Sequence, residues 1–235
     1  MKEVFKYQKV VLKALSGQIE DFYLVGGTAL SNFYFHHRES YDLDFFTKDF
    51  SGKRVNEVVK GLEQKTGKKV QTALEEKTKK FAQRRTCEMA LGNRESLKID
   101  FVEDFRDVLK PFEKVNGVNI ASLDDIYDRK IYAVTGVPDG GDKLGKIKTK
   151  GGRQEARDLF DLYYLSHTYK RLSSFVQEFS DQVYVEGLVT WWQSINKRDM
   201  QQGIGEIITD KELEYVEIDK HLGKEMNLIL EMIIG

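Results

Sequence analysis

The sequence predicts an α/β (α+β) chain, with a mixed β-sheet and flanking helices in its first half and an all-helical bundle in its second. Three observations lead there. Runs with two-residue alternation, such as Leu97-Lys-Ile-Asp-Phe-Val102, are interleaved with helix-period segments through the first half. From about residue 120 the alternation gives way to long helical periods, as in Arg153 to Tyr169. Between these regimes no repeat, heptad array or low-complexity tract intervenes, so two domains are expected, 1–118 and 119–235.

In order, Val4, Phe5, Val10, Val11, Leu12, Ala14 and Leu15 describe an amphipathic opening helix over 3–16. Phe22 to Val25 reads as a short strand stopped by Gly26-Gly27, after which Thr28 to His37 returns to helical spacing. Ser40 to Phe46 alternates as a strand, with Asp42 and Asp44 on one face and Leu43 and Phe45 on the other. A helix over Val55 to Thr66 closes near Gly67. Strands are expected over Lys69 to Leu74, within Lys79 to Leu91, and over Leu97 to Val102. Ser122-Leu-Asp-Asp125 has the form of a helix start, in which a hydroxyl and an acid three residues on satisfy free amides, and the helix runs to about Thr135. Gly136 to Gly152, rich in glycine and carrying Lys143, Lys146, Lys148 and Lys150, reads as a flexible basic loop. Helices follow over Arg153 to Tyr169, Ser173 to Phe179, Glu186 to Ile195 and Asp219 to Ile234.

Composition narrows the function. Hydrophobic residues at 40 % can build a packed core, while 32 % charged residues leave no apolar stretch long enough to span a membrane. The N-terminus breaks every apolar run with a charge, so it lacks a secretory signal and the mature chain is expected to begin at Met1. One cysteine, Cys87, cannot form an internal disulfide, which fits a cytoplasmic protein, and its apolar neighbours mark it as core rather than nucleophile. The formal net charge of −1 argues against a protein that coats nucleic acid, although residues 53–98 hold 13 Lys/Arg against 6 Asp/Glu. That segment and the lysine loop are the surfaces expected to meet a polyanion, unless they are ordinary solvated faces.

The chemistry concentrates between Val25 and Phe46. Two glycines at a strand-to-helix turn let backbone approach a ligand, and helix N-terminal amides present partial positive charge to phosphate. Carboxylates at i and i+2 of a strand, Asp42 and Asp44, point the same way with Cα atoms about 6.5–7 Å apart, within reach of a shared metal. Asp100, alone among apolar residues on a later strand, supplies a third acid. Three carboxylates around a triphosphate suit two Mg²⁺ ions, since hard oxygen ligands favour that metal.

Gly26-Gly27-Thr28-Ala29-Leu30, followed by Arg38-Glu-Ser40-Tyr-Asp42-Leu-Asp44-Phe-Phe46, resembles the nucleotidyltransferase signature in its AbiEii/AbiGii toxin version, the enzyme half of abortive-infection and type IV toxin–antitoxin pairs. Leu97-Lys-Ile-Asp100-Phe is similar to the family's third-acid strand, Lys130-Ile-Tyr-Ala133 to its lysine motif, and Arg157-Asp158-Leu-Phe-Asp161-Leu to its arginine-aspartate helix. The resemblance implies metal binding by Asp42, Asp44 and Asp100 and a phosphate grip by Gly27 and Thr28, to which the glycine turn itself adds Gly26. Lys130 and Asp158 would complete the active site from the helical domain. It further implies an NTP substrate, an RNA acceptor such as a tRNA 3′ end, release of pyrophosphate and a separate antitoxin. The chain departs from the family's lysine motif at Val137 and Pro138, where an arginine is usual.

Each residue has a plainer reading. Asp42 and Asp44 can face solvent from a strand, Asp100 can pair with Lys98 on its own face, and Lys130 can be a surface lysine. Arg38 and Ser40 either contact phosphate or, for Arg38, end a helix. His36 and His37 diverge and lack a third ligand, so they read as helix-end residues. Arg157 and Asp161 can form a surface pair while Asp158 faces partly away, and Trp191, Trp192, Tyr163 and Tyr164 read as packing. Two rival functions stand beside the RNA enzyme: transfer to a small molecule or a protein side chain, and a non-catalytic module that binds nucleotide or protein.

Overall fold

The computed structural model describes residues 3–76, 82–92, 95–139 and 148–234. It divides into two compact units, the first comprising Met1–His36 and Ser40–Ser122 and the second comprising His37–Glu39 and Leu123–Gly235.

The first unit is built on a seven-stranded sheet. Its strands are β1 (Tyr23–Val25), β2 (Leu43–Thr47), β3 (Val70–Glu76), β4 (Arg84–Gly92), β5 (Glu95–Glu103), β6 (Glu113–Val115) and β7 (Val118–Ile120), in the spatial order β3-β4-β5-β2-β1-β7-β6. Two pairings, β1 with β7 and β2 with β5, are parallel and the remainder antiparallel, so the sheet is mixed. Alternation along each strand sorts the side chains onto two faces. Leu43 and Phe45 of β2, Cys87 and Met89 of β4, and Leu97, Ile99 and Phe101 of β5 are all buried together. Phe101 joins Phe22 edge-on at 5.4 Å and stacks with Phe45 at 5.8 Å. Helix α1 (Glu3–Leu15) packs on β4 and β5 and on helix α3 (Gly52–Thr66), which buries Val55, Val58 and Leu62 from a single stripe. Gly67, in the left-handed conformation at φ +66°, ends α3 where a glycine was expected to do so.

Between β1 and β2, helix α2 (Gly26–Ala29) continues as a π-helical turn over Leu30–Tyr34 and stops before His36, whose φ is +50°. The strand expected over Ser40 to Phe46 begins only at Leu43, so Asp42 lies just before it, outside regular secondary structure. The β6–β7 hairpin was not anticipated. Asn116 and Gly117 both take positive φ, the geometry of a two-residue turn whose twist matches the strands it joins.

The second unit holds helices α4 (Leu123–Thr135), α5 (Ala156–Tyr164, continued as a π-helical segment Leu165–Tyr169), α6 (Leu172–Phe179), α7 (Gln182–Ser194), α8 (Lys197–Gly205) and α9 (Tyr215–Ile234). Tyr127 of α4 stacks on Phe175 of α6 at 4.2 Å, within a core that includes Ile131, Leu159, Leu162, Leu188, Leu222 and Met226. The loop expected over Gly136 to Gly152 is in part a two-stranded antiparallel ribbon, β8 (Gly136–Asp139) with β9 (Lys148–Gly151). Gly152 shows why a glycine stands at its base: a Cβ there would lie 1.9 Å from the Val134 carbonyl oxygen. Lys143 and Lys146 lie outside the described residues. Among the described residues, no helix is long and apolar enough to cross a membrane.

Phe101 is fully buried at the centre of the sheet's packed face. Phe101→Ala should destabilise the chain by about 3–5 kcal/mol, measured by chemical denaturation.

Candidate active site

The site grows from the order of the central strands. Because β2 lies between β1 and β5, Val25 is paired with Asp44 on one side and Asp44 with Asp100 on the other. Paired residues of neighbouring strands project on the same face, so the Asp44 and Asp100 carboxylates stand side by side opposite the core. The alternation read from the sequence holds, with Leu43 and Phe45 buried and Asp44 half-buried between them.

The glycine turn is adjacent. Gly26 has a φ of +75°, and a Cβ there would fall 2.6 Å from the Asp44 carboxylate oxygen Oδ2. Both the backbone conformation and the close approach require glycine. Thr28, fully buried, donates its hydroxyl to the Asp42 carbonyl, and its Oγ1 lies 2.9 Å from the Ser40 hydroxyl. Thr28 and Ser40 thereby tie the helix start to the segment that presents Asp42.

Asp100, 3 % exposed, is strongly bound. Its Oδ1 accepts from the Thr86 hydroxyl at 2.5 Å, and its Oδ2 from Arg84 at 2.9 Å, with Lys98 Nζ at 3.0 Å. The same ammonium is 3.8 Å from Asp42 Oδ2. The Lys98 pairing expected as the plain reading is therefore present, and it reaches two acids rather than one.

Among the described residues, no three His, Cys, Asp or Glu side chains stand together in a form that could hold a metal ion. The donor set nevertheless fits a divalent cation at Asp42 and Asp44. Both are hard oxygen donors beside a glycine whose missing side chain leaves room, and Lys98 already places a positive charge at Asp42. Asp100 meets that description less directly, since its oxygens are engaged by Thr86, Arg84 and Lys98.

The second unit gathers its own charged group. Lys130 of α4, buried, lies 2.7 Å from Asp158 Oδ1 and 2.6 Å from Asp161 Oδ2. Arg38 grips Asp161 with two parallel hydrogen bonds, Nε to Oδ1 at 2.7 Å and Nη2 to Oδ2 at 2.8 Å. His37 Nε2 lies 2.8 Å from Asp161 Oδ1, and Arg153 Nη2 3.1 Å from Asp158 Oδ2. Burial alone would raise the Asp161 carboxyl. Arg38 and Lys130, with hydrogen bonds from Arg38 and His37, override burial and hold it well below the usual carboxylate range. Burial pulls the Lys130 ammonium down, but Asp158 and Asp161 more than offset it and its pKa is raised. Burial, reinforced by Arg38 and Lys130, lowers His37 against the opposing pull of Asp161, so it is neutral at pH 7 and donates from Nε2.

Several expectations change here. Asp161 is no surface partner of Arg157: it is fully buried among Arg38, His37 and Lys130, while Arg157 is exposed. The reason is spacing, since Asp158 and Asp161 at i and i+3 share the inner face of α5 and Arg157 is turned about 100° from Asp158. Lys130 is not a surface lysine, and Arg38 and His37 do more than end a helix. The burial of Asp161 has a signal in the sequence, since the acid is enclosed by Leu159, Phe160 and Leu162. The packing reading holds for Trp191, 4 % exposed with its indole donating to the Arg153 carbonyl at 2.9 Å, and for the buried Tyr163. Burial pushes the Cys87 thiol up to about 11, as suits a core residue. Within the basic 53–98 segment, Arg54 pairs with Asp21, Arg85 with Glu75, and Arg84 and Lys98 with Asp100. Lys77, Lys79, Lys80 and Arg94 of that segment lie outside the described residues.

A mixed sheet with flanking helices, acids on adjacent strands beside a Gly-Gly turn, and a helical region following is the nucleotidyltransferase type of fold. Solved structures share it. JHP933 from Helicobacter pylori aligns with 20 % identity and a TM-score of 0.59 over 97 % of this chain and 91 % of its own. A putative nucleotidyltransferase from H. pylori aligns with 19 % identity and 0.59 over 99 % and 96 %, and MenT4, a nucleotidyltransferase toxin from Mycobacterium tuberculosis H37Rv, with 14 % and 0.60 over 98 % and 86 %. A search of curated proteins gives no match. The family model for the nucleotidyl transferase AbiEii toxin of type IV toxin–antitoxin systems matches residues 10–235, and the chain belongs to that family of toxin nucleotidyltransferases.

Asp161→Asn should destabilise the fold by about 3–5 kcal/mol, because it strands buried cations. The folded-state carboxyl lies below its unfolded value of 3.8, so the Asp161 contribution is complete above that pH and is lost as pH falls through the lowered folded value. Denaturation curves of wild type and variant should converge in that acid range.

Proposed function

We propose that this toxin moves a nucleotide from an NTP to an acceptor hydroxyl on RNA, the 3′ end of a tRNA, in a Mg²⁺-dependent reaction that releases pyrophosphate, and that a separate antitoxin restrains it. The observation that carries the reading is the pairing of Asp44 with Asp100 beside Gly26, with Asp42 just ahead of the same strand. Family membership supports the toxin role and the transfer of nucleotides.

Asp42 and Asp44 are the residues that would hold Mg²⁺, with Asp100 a third donor. When bound, the metal neutralises charge on the triphosphate and on the departing pyrophosphate. Gly26, Gly27 and Thr28 would present backbone amides to the phosphates, and Ser40 would hold the Asp42 segment in place through Thr28. The acceptor oxygen forms a bond to the α-phosphorus in line with the bridging oxygen, whose bond to that phosphorus breaks. Pyrophosphate carries that oxygen away, and a carboxylate of this acidic set takes the hydroxyl proton. Lys130 and Asp158 we assign to the same reaction on the family resemblance, and Arg38, which precedes the acids in sequence, we assign as a phosphate contact. In the second unit Lys130 joins Asp158 to Asp161, on which Arg38 is also seated, so the side chains are held in one buried ion network.

The test incubates the full chain with Mg²⁺, each labelled NTP in turn and total RNA. Wild type should label a discrete RNA, while Asp42→Ala or Asp44→Ala should lose at least about a hundredfold in rate. EDTA should abolish labelling. Gly26→Ala, which drives a methyl into the Asp44 carboxylate, should behave like the acid variants in this assay. If wild type leaves every label unincorporated, the RNA acceptor is wrong, and transfer to small hydroxyl compounds becomes the reading to test.

A further inference from the structure

Two cations face the acidic site from strands already described, and their environments differ from that of their neighbour. Arg85 is wholly committed: it is buried and bound to Glu75, Asn56 and the Gly52 carbonyl. Arg84, next in sequence and on the opposite sheet face, has a side chain 35 % exposed and meets Asp100 through Nη2. Its Nε is buried with no hydrogen-bond partner among the described residues. Lys98, 37 % exposed, spans Asp42 and Asp100 with one ammonium. In the β4–β5 register Thr86 stands opposite Asp100 and Glu88 opposite Lys98, so Arg84 and Lys98 flank Asp100 from its two sides.

We propose that Lys98 is a built-in substitute for the divalent cation, holding Asp42 and Asp100 until metal arrives and then pairing, with Arg84, to the phosphate chain of the nucleotide. The inference rests on the function proposed above. The Lys98–Asp42 contact is long and exposed on both sides, and Asp100 keeps Thr86 and Arg84 when Lys98 leaves, so a side chain of this length can exchange its carboxylates for another partner. A divalent cation carries twice the charge of an ammonium and binds carboxylate oxygens directly, so it wins the acids. An ammonium displaced from two carboxylates beside a triphosphate finds its next acceptors on that triphosphate, and the guanidinium end of Arg84, whose side chain is 35 % exposed, offers a second set of donors. Without nucleotide, the same ammonium keeps the acidic cluster from repelling itself. Lys98 is thus a positioning residue for the acids and a binding residue for phosphate.

The experiment uses the full chain, Mn²⁺ alone as the metal probe, and inorganic triphosphate with saturating Mg²⁺ as the phosphate probe. Lys98→Met removes the competitor, so Mn²⁺ should bind about three- to tenfold tighter than to wild type while triphosphate binds about tenfold weaker. Lys98→Arg should restore triphosphate binding, and Arg84→Met, which leaves Asp42 paired with Lys98, should weaken triphosphate while tightening Mn²⁺ less than Lys98→Met does. Lys98→Gln, with thermal melting of each variant, guards against misfolding as the cause. Unchanged or weaker Mn²⁺ binding in Lys98→Met, or undiminished triphosphate binding, overturns the proposal. Asp42→Ala separates the two layers. If it abolishes Mn²⁺ binding while Lys98→Met changes nothing, only the Lys98 role falls; if it binds Mn²⁺ like wild type, the acidic metal site itself is wrong and the Lys98 role falls with it.

Discussion

The parallel pairing of β2 with β5 is the constraint on which the first unit depends. It runs Leu43 beside Ile99 and Phe45 beside Phe101 on one face, and Asp44 beside Asp100 on the other. Because side chains alternate with a period of two, the register that closes the apolar core also brings the acids together. A slip of one residue would bury Asp44 and expose Phe45. The cost of burying unpaired carboxylates and exposing aromatic surface excludes that alternative, so packing energy specifies the geometry of the acidic cluster.

The second unit solves a different electrostatic problem. Asp158, Asp161, Lys130 and Arg38 are all at least nine-tenths removed from solvent. Such burial is tolerable because each charge has an opposite charge at hydrogen-bond distance and Asp161 accepts from three side chains. A buried network of this kind adds little net stability over an apolar core, but it penalises any arrangement that breaks one member. It therefore fixes the rotamers of Lys130 and Arg38 more firmly than solvent-facing pairs could. The first unit's Asp100 is held differently: it is itself buried, but Arg84 and Lys98, the cations on it, are each about one-third exposed.

Much of this was legible in the residues. The helix stripes of α1 and α3, the Gly67 stop and the Leu97 to Val102 strand follow from periodicity and local turn chemistry, which are properties of neighbours in sequence. The Gly26-Gly27 turn and the alternation through Asp44 were visible for the same reason. The β6–β7 hairpin had a signal in Asn116-Gly117 that short flanking strands obscured. The β8–β9 ribbon gave no such signal, because its glycines and lysines carry the composition of a loop while cross-strand hydrogen bonds decide its shape. Asp161 looked like half of a surface pair because helical spacing identifies neighbours on a cylinder without saying which side is covered.

What the sequence determined by itself is the set of local preferences: where strands and helices form, where glycine must turn the chain, and which acids alternate away from apolar neighbours. Tertiary structure alone decided which of those acids meet. Asp44 and Asp100 are 56 residues apart in the chain and Arg38 and Asp161 are 123 apart. Their proximity arises from strand order and helix packing, which are set by the burial of the whole apolar surface rather than by any local run of residues. Charge pairing followed from that packing, since a carboxylate's partner is whichever cation the fold leaves within reach.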